Sequence, residues 1–417
     1  MLIDRPTYMK QLIREMGTNQ VKIITGIRRC GKSFLLFNLF KSHLLSAGVP
    51  EGNIFEMAFD RYGNKKFRDP EVFFPYINEA LKKTSGSRYI LLDEVQLLED
   101  FAEILIDLIA RDGVDVYVTG SNAKLLSKDV ITEFRGRGTE IAVSPLSFSE
   151  FMGAYDGDKR DAYEEYSIYG GMPGTLGMAE PDQKEAYLKS LYSELYLSDI
   201  IERGGVRDAG TLEALIDVLS SAIGSLTNAN KLSATFKGEK GANVAPETLE
   251  RYIGLLEDAF LVRRAKRYDV KGRRYIGTPF KFYFTDLGLR NARMNFRQVE
   301  PTHIMENVIF NELICRGFSV DVGVVPTNTR KNGSSRHTQL EIDFICNKGS
   351  KRYYVQSAYA LPSEEKRQQE CRPLTKVDDS FKKIIITKEG SSPRYDDEGI
   401  LTMNVYDFLL NRDSLLF

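Results

Sequence analysis

The sequence is poor in the residues that build disulfide frameworks and zinc sites. It has four Cys and three His among 417 residues, and it contains no Trp. Cys30, Cys315, Cys346 and Cys371 form no CxxC pair and the histidines are scattered, so we expect reduced cysteines and no zinc site. No apolar run reaches the ~18 residues of a transmembrane helix. The charged N-terminus lacks the apolar stretch of a signal peptide. We therefore expect a cytoplasmic protein with no membrane partner.

An excess of one charge sign is absent as well, since 57 Lys and Arg face 58 Asp and Glu and give a net charge of -1. This balance argues against a uniformly basic nucleic-acid coat, although it leaves room for a local basic patch. The 42% of hydrophobic residues excludes wholesale disorder. At roughly 150 residues per domain, the chain length predicts two or three domains.

Short apolar runs alternate with helical patterns over residues 1–150, which indicates a parallel sheet built from βαβ units. The predicted strands are Val21–Thr25, Asn53–Phe59, Tyr89–Asp93, Val114–Thr119 and Thr139–Val143. Helices are predicted at Lys32–Leu45 and Glu99–Arg111. Further along, residues 151–208 are expected to be helical, residues 209–297 to be helices followed by a basic strand pattern, and residues 298–417 to be a helix followed by strands.

The first predicted strand leads into a phosphate-binding pattern. The run GIRRCGKS fits GxxxxGK[ST] and opens a predicted helix. Its two glycines permit a tight path that points backbone N–H groups inward, and the helix N-terminus adds positive potential. Lys32 is expected to reach the β- and γ-phosphates of ATP, and Ser33 to ligate Mg²⁺. The predicted nucleotide contacts are Gly26, Ile27, Arg28, Arg29, Cys30, Gly31, Lys32, Ser33 and Phe34.

Two carboxylates end the strand Tyr89–Asp93 and its continuation. Ligands of open parallel sheets bind at the carboxyl ends of the strands, so Asp93 and Glu94 should face the phosphate-binding run. Asp93 is predicted to hold Mg²⁺, mostly through water. Glu94 is the predicted general base that polarises the attacking water, with helix capping as the alternative role. An adjacent Asp-Glu pair favours hydrolysis over binding alone.

Polar and basic residues after the fourth strand complete the predicted site. Ser121 or Asn122 is expected to contact the γ-phosphate, to cap the next helix, or to do both. Arg137 or Arg135 is the candidate arginine finger, acting in cis or across a subunit boundary in a homo-oligomer. The alternative is a surface arginine in a turn.

These motifs resemble those of the bacterial and archaeal AAA+-related ATPases with a fused C-terminal domain of unknown function, the AAA_14 plus DUF4143 architecture. The matching runs are GIRRCGKS, LLDEVQ, VTGSN, SPLSFSEF, YGGMP, FTDLGL, MEN and EIDF. The resemblance implies an α/β P-loop NTPase core with strand order 5-1-4-3-2, a helical lid, a winged-helix segment and a restriction-endonuclease-like α/β C-terminal domain. The corresponding boundaries are 1–150, 151–208, 209–297 and 298–417.

The winged-helix segment ends in a basic hairpin pattern. Residues 259–297 contain eleven Lys or Arg and two Asp, which suits contact with a phosphate backbone. A third helix from Pro246 is expected to expose Thr248, Arg251 and Tyr252. The alternative to DNA contact is a solvated hairpin or a face that docks on the protein's own acidic surface. The candidate DNA-binding residues are Arg263, Arg264, Lys266, Arg267, Lys271, Arg273 and Arg274.

The C-terminal segment resembles the nuclease pattern of a helix Glu, a strand Asp and a Glu-x-Lys strand, whose carboxylates bind Mg²⁺. Glu306 and Asp343 occupy the first two positions, but Gln356 and Ala358 replace the acid and the lysine. An amide is a weaker metal ligand, so we expect a degenerate and catalytically inactive site. Lys351 or Lys366 is a candidate to replace the missing lysine in space.

The leading hypothesis is therefore an ATPase that uses ATP and Mg²⁺ to drive a conformational switch, coupled to DNA or to a protein partner. The first alternative is a nucleotide-regulated DNA-binding module with little turnover. The second is an ATP-dependent nuclease.

Overall fold

The structure is a computed structural model that describes residues 3–120, 134, 136–239, 241–297, 300–331, 334–390 and 392–416. The chain forms two compact units. Unit 1 contains Met1–Pro145 and Asp258–Phe260, and unit 2 contains Leu146–Glu257 and Leu261–Phe417.

Unit 1 is built on a five-stranded parallel sheet in the order β2-β3-β4-β1-β5. Its strands are β1 Val21–Thr25, β2 Ile54–Ala58, β3 Arg88–Asp93, β4 Val114–Thr119 and β5 Gly138–Ala142. This order confirms the expected 5-1-4-3-2 arrangement and the α/β P-loop NTPase fold. The predicted strands agree closely with the observed ones, because continuous apolar runs are typical of strands covered on both faces.

Helices connect these parallel strands. The helical segments are Pro6–Arg14, Lys32–Phe34, Leu35–Phe40 with π-helical bonding, Lys41–Ser46, Pro70–Lys82 and Phe101–Ile109, with 3₁₀ turns at Glu51–Asn53, Tyr62–Arg68 and Val95–Leu97. One hydrophobic core contains Ile23, Ile90, Leu105 and Val116, all buried. Because every strand runs in the same direction, all five carboxyl ends lie at one edge of the sheet, and that edge carries the predicted site.

Unit 2 combines helices with a second sheet. Its helical segments are Phe148–Met152, Lys159–Tyr169, Pro173–Thr175, Pro181–Ser190, Leu191–Leu197, Ser198–Gly204, Ala209–Ser221, Ala229–Glu239, Pro246–Asp258, Leu287–Arg293, Pro301–Cys315, Glu364–Thr375, Val405–Leu410 and Ser414–Leu416. Its strands are β6 Val262–Asp269, β7 Arg274–Phe284, β8 Ser319–Lys331, β9 Ser334–Lys348, β10 Lys351–Ala358, β11 Lys382–Thr387, β12 Arg394–Tyr395 and β13 Ile400–Asn404.

The second sheet has eight strands in the order β12-β13-β11-β10-β9-β8-β6-β7. The basic hairpin is its β6–β7 pair, and β6 lies parallel to β8. A single sheet therefore crosses the expected boundary between residues 297 and 298. The division of residues 151–417 into a lid, a winged-helix segment and a nuclease-like domain stays a prediction.

Among the described residues, no helix has both the length and the apolar character needed to cross a membrane.

Candidate functional site

The P-loop, residues 26–33, joins β1 to the helix that begins at Lys32. The Lys32 ammonium is buried and donates to the backbone oxygens of Gly26, over 3.0 Å, and Ile27, over 3.1 Å. Gly26 has φ 137°, and a Cβ atom there would lie 2.1 Å from the backbone oxygen of Val143. A side chain at Gly26 would therefore force the loop away from the sheet, which explains the first glycine of the motif.

A buried arginine that the sequence analysis missed donates hydrogen bonds to the backbone of this loop and of the segment after β5. The Arg5 guanidinium donates to the backbone oxygen of Cys30, over 3.1 Å, and to that of Ser144, over 2.6 Å. The Cys30 thiol is buried and contacts the backbone oxygen of Val143 at 3.5 Å. Arg5 belongs to no recognisable motif, so only its position in the fold reveals this contact.

The structure brings Asp93 to the P-loop, as the strand-end argument required. The Ser33 hydroxyl donates to Asp93 Oδ1 over 2.8 Å, and the Thr119 hydroxyl donates to the same oxygen. Burial raises the pKa of the Asp93 carboxyl above its ordinary value, while the bonds from Thr119 and Ser33 oppose this shift. A bound cation would favour the charged form of this carboxylate.

A hydroxyl beside a carboxylate is a donor set that fits Mg²⁺, which prefers oxygen ligands and is usually held by one or two protein groups plus phosphates and water. Across the described ranges, no three His, Cys, Asp or Glu side chains are arranged to hold a metal ion by themselves. A Mg²⁺ ion held by Ser33 and Asp93 would take its other ligands from nucleotide and solvent. In that position it would neutralise the charge that develops on the phosphate.

Glu94 follows β3 in a left-handed backbone conformation, with φ 52° and ψ 47°. Its backbone N–H donates to the Thr119 hydroxyl over 3.2 Å, and its carboxylate accepts a bond from the Gln96 amide. The Glu94 side chain makes no capping bond to the turn Val95–Leu97, so the capping alternative is wrong. This strained backbone conformation lies at the carboxyl edge of the sheet, which is where a general base is needed.

Thr119 ends β4 and links the two acidic positions, since its hydroxyl donates to Asp93 and accepts from the Glu94 N–H. The sequence predicts a polar residue between the two motifs at Ser121 or Asn122, whereas the structure brings Thr119 to that place. Ser121, Asn122 and the finger candidate Arg135 lie outside the described residues.

Arg137, the other finger candidate, lies directly before β5. Its backbone oxygen accepts from the Val21 N–H over 2.8 Å, at the start of β1, whereas the P-loop follows the end of β1. Five strand residues at about 3.3 Å each separate these two edges of the sheet. A finger role for Arg137 within its own chain is therefore wrong, and a role across a subunit boundary stays a prediction.

The basic hairpin is only partly available for DNA. Arg264 bonds Glu250 at 2.6 Å and Glu257 at 2.9 Å, and Arg267 donates to the Gln339 side chain over 2.8 Å. Arg264 is therefore not available as a free DNA contact, because Glu250 and Glu257 already neutralise its charge. Three cations at the hairpin turn are exposed, as is one on β6: Lys271, Arg273, Arg274 and Lys266. Arg263 is partly buried.

The helix Pro246–Asp258 does not present the face that the sequence predicted. Tyr252 is 2% exposed and packs inward, so its predicted exposure is wrong. Glu247, Glu250 and Arg251 are exposed, whereas Thr248 is partly buried. This face is more acidic than basic, so the hairpin turn is the better candidate for contact with a polyanion.

The degenerate nuclease-like positions do come together in unit 2. The Asp343 N–H donates to the Gln356 side-chain oxygen over 3.3 Å, and the Lys281 ammonium bonds both Glu306, at 2.9 Å, and Asp343, at 3.4 Å. Lys281 is the nearby lysine that sequence reasoning missed, because it comes from β7 and not from the strand pair. Lys366 bonds Glu370, and Lys351 is exposed.

Comparison with known proteins gives two family matches. An AAA domain matches residues 18–152, and a domain of unknown function, DUF8612, matches residues 160–300. The second name differs from the expected DUF4143, and these two matches do not show a restriction-endonuclease-like domain, so both of those expectations stay predictions.

Two relatives are similar over most of the chain. An uncharacterized protein of Haemophilus influenzae is 34% identical over 98% of this chain and 99% of its own. An uncharacterized protein of Methanocaldococcus jannaschii is 24% identical over 93% of this chain and 85% of its own. Among solved structures, the Aeropyrum pernix ORC1 protein in complex with DNA is 13% identical, covers 71% of this chain and 93% of its own, and has a TM-score of 0.29. At that score, the fold assignment rests on the strand order alone.

Proposed function

The chain belongs to the family of the Haemophilus influenzae relative, with an AAA domain over residues 18–152, and from this premise we propose that it is a Mg²⁺-dependent ATPase. The observation that carries the proposal is the 2.8 Å bond between Ser33 and Asp93, which joins the P-loop to the acidic end of β3. ATP would bind with its phosphates on the P-loop N–H groups, and Lys32 would exchange its two backbone acceptors for phosphate oxygens.

Glu94 is the proposed base for the attacking water, and Thr119 positions both acidic residues. Hydrolysis would remove the γ-phosphate that this edge of the sheet senses, and the change would drive a conformational switch. The switch would act on DNA or on a protein partner. An arginine finger across a subunit boundary would make the active form a homo-oligomer.

The experiment compares ATP binding and phosphate release for the wild-type chain and Lys32→Ala, with and without Mg²⁺ and duplex DNA. Lys82→Ala is the matched control, because the Lys82 side chain is 72% exposed and pairs with Glu79, itself 63% exposed. We expect Lys32→Ala to lose ATP binding and the control to keep it. Mg²⁺-independent hydrolysis, or unchanged hydrolysis in Lys32→Ala, would refute the assignment. Measuring the solution mass with ATP tests the oligomer.

The second candidate is a nucleotide-regulated DNA-binding module with little turnover. The exposed cations Lys271, Arg273 and Arg274 at the hairpin turn favour it. ATP binding without measurable phosphate release, together with DNA affinity that changes on adding ATP, would support this candidate over the first.

A further inference from the structure

The Lys281 ammonium in unit 2 lies among three carboxylates. Its Nζ atom is 2.8 Å from Glu341 Oε1, 2.9 Å from Glu306 Oε1 and 3.4 Å from Asp343 Oδ1. The three acids come from the helix Pro301–Cys315 and from β9, whereas the lysine comes from β7. Two of these acids are the positions that the sequence analysis assigned to a nuclease-like metal site.

The cluster is largely buried as well as charged. The side chains of Lys281, Glu306 and Asp343 are 5%, 9% and 11% exposed, and that of Glu341 is 35% exposed. Buried carboxylates need compensating charge and hydrogen bonds, since desolvation strongly disfavours an isolated ion. The ammonium supplies that charge.

Further groups surround the oxygens of the buried pair, and Glu306 Oε2, which Lys281 does not contact, lies 3.8 Å from His303 Nδ1. The Tyr283 hydroxyl donates to Glu306 Oε1 over 2.6 Å, and the Ser357 N–H donates to Asp343 Oδ2 over 2.9 Å. The Gln356 amide nitrogen turns away and donates to Glu370 over 3.1 Å. The amide that replaced an acid in the motif therefore adds no negative charge facing Lys281.

We propose that Lys281 is a built-in cation that takes the place of a divalent ion between these carboxylates, so that the cluster holds neither Mg²⁺ nor Mn²⁺. An ammonium carries three N–H donors, and here each of the three carboxylates lies within 3.4 Å of the nitrogen. A divalent ion binds such oxygens at about 2.0–2.6 Å and would need the same space. The predicted nuclease-like segment, residues 298–417, then holds its own counter-ion, and the ammonium links β7 to the helix Pro301–Cys315 and to β9.

Removing the ammonium tests this proposal. The probe is Mn²⁺ alone, without nucleotide, and its binding is measured on the full chain by electron paramagnetic resonance and by thermal shift. We expect Lys281→Met to gain one bound Mn²⁺ per chain over the wild type. The double variant Lys281→Met with Asp343→Asn should lose the gained ion. Lys237→Met, which removes an exposed lysine of the same unit, should bind Mn²⁺ as the wild type does.

Two outcomes overturn the proposal. One is a folded Lys281→Met chain, judged by circular dichroism, that gains no Mn²⁺. The other is wild-type protein that binds Mn²⁺ and loses this binding in Asp343→Asn or Glu306→Gln. This second outcome needs no folded variant at position 281. If Lys281→Met folds only when Mn²⁺ is added, the ion has replaced the ammonium and the proposal stands.

Discussion

The Asp286 carboxylate accepts a hydrogen bond from the backbone N–H of Gly171 over 2.8 Å, and so joins two motifs that lie 115 residues apart. The same side chain caps the helix Leu287–Arg293 by accepting from the Leu289 N–H over 3.0 Å. A Cβ atom at Gly170 would lie 2.4 Å from Asp286 Oδ1, and one at Gly171 would lie 2.3 Å from the backbone oxygen of Leu146. The glycine pair is therefore required by packing inside unit 2.

Replacing Asp286 with Asn should destabilise unit 2 and change the pH dependence of its stability. Burial raises the pKa of Asp286 from 3.8 to about 6, against the opposing effect of its backbone N–H donors. The folded state thus favours the neutral carboxyl. The contribution of this carboxyl to the free energy of unfolding is full below the unfolded pKa and is lost as the pH rises through about 6. The variant lacks this titration.

Urea unfolding of both proteins measures the difference. Loss of the buried acceptor should cost about 1–3 kcal/mol near pH 4. At 1.36 kcal/mol per pKa unit, the shift of the Asp286 pKa from 3.8 to about 6 removes about 3 kcal/mol over the whole titration, so the stability advantage of wild type over variant should vanish or reverse by pH 7. Asp397→Asn, at an exposed aspartate, is the control. A difference that stays constant with pH would contradict the buried titration of Asp286.

Replacing Glu94 with Gln should slow hydrolysis and leave ATP binding intact. Gln keeps the size and the bond to Gln96 but cannot take a proton from water, so we expect kcat to fall by about 10²–10⁴. Phosphate release under saturating ATP and Mg²⁺ measures kcat, and fluorescent-nucleotide titration measures binding. Glu99→Gln, at an exposed glutamate beyond the same strand, should change neither. Unchanged turnover in Glu94→Gln would show that the base is another group.

Replacing Thr119 with Val should weaken the binding of Mg²⁺ and lower the turnover together. The methyl group keeps the volume but removes the hydroxyl that donates to Asp93 and accepts from the Glu94 N–H. One lost hydrogen bond is worth about 1 kcal/mol, or roughly a fivefold change in the half-saturating Mg²⁺ concentration. Thr119→Ser retains the hydroxyl and should recover most of the activity. Equal loss in the Ser and Val variants would point to packing as the role of Thr119.

Reversing the charge of Lys271, Arg273 and Arg274 to Glu should weaken binding to duplex DNA. Each lost phosphate contact lowers the slope of log affinity against log salt concentration by about 0.9. Fluorescence anisotropy at several salt concentrations gives that slope. A triple reversal at three exposed lysines of unit 1, Lys10, Lys82 and Lys83, changes the net charge equally and is the control.

Arg264→Gln separates the two roles of the basic stretch. Its guanidinium bonds Glu250 and Glu257, so the variant should lower stability and leave the salt slope unchanged. If the triple reversal at the turn leaves DNA affinity as it was, the hairpin is not the DNA contact.

The sequence by itself determined unit 1 of this protein, which carries the proposed nucleotide site. The strands, the P-loop and the pairing of Asp93 with Ser33 were predictable because glycine spacing and apolar runs encode local structure, and parallel strands bring their carboxyl ends to one edge. The basic stretch was visible as composition only. Whether a given arginine is exposed or ion-paired depends on the neighbours that folding gives it, as Arg264 and Arg267 illustrate.

Tertiary structure alone decided the rest. Lys281 meets Asp343 across 62 residues, and Arg5 meets Ser144 across 139. Neither pair has a local pattern, because a buried charge takes its partner from whichever element packs against it. Arg137 was excluded as a finger in its own chain only when the register of β5 placed it at the amino edge of the sheet. Sequence periodicity fixes which face of an element is buried, whereas long-range packing decides which charges meet.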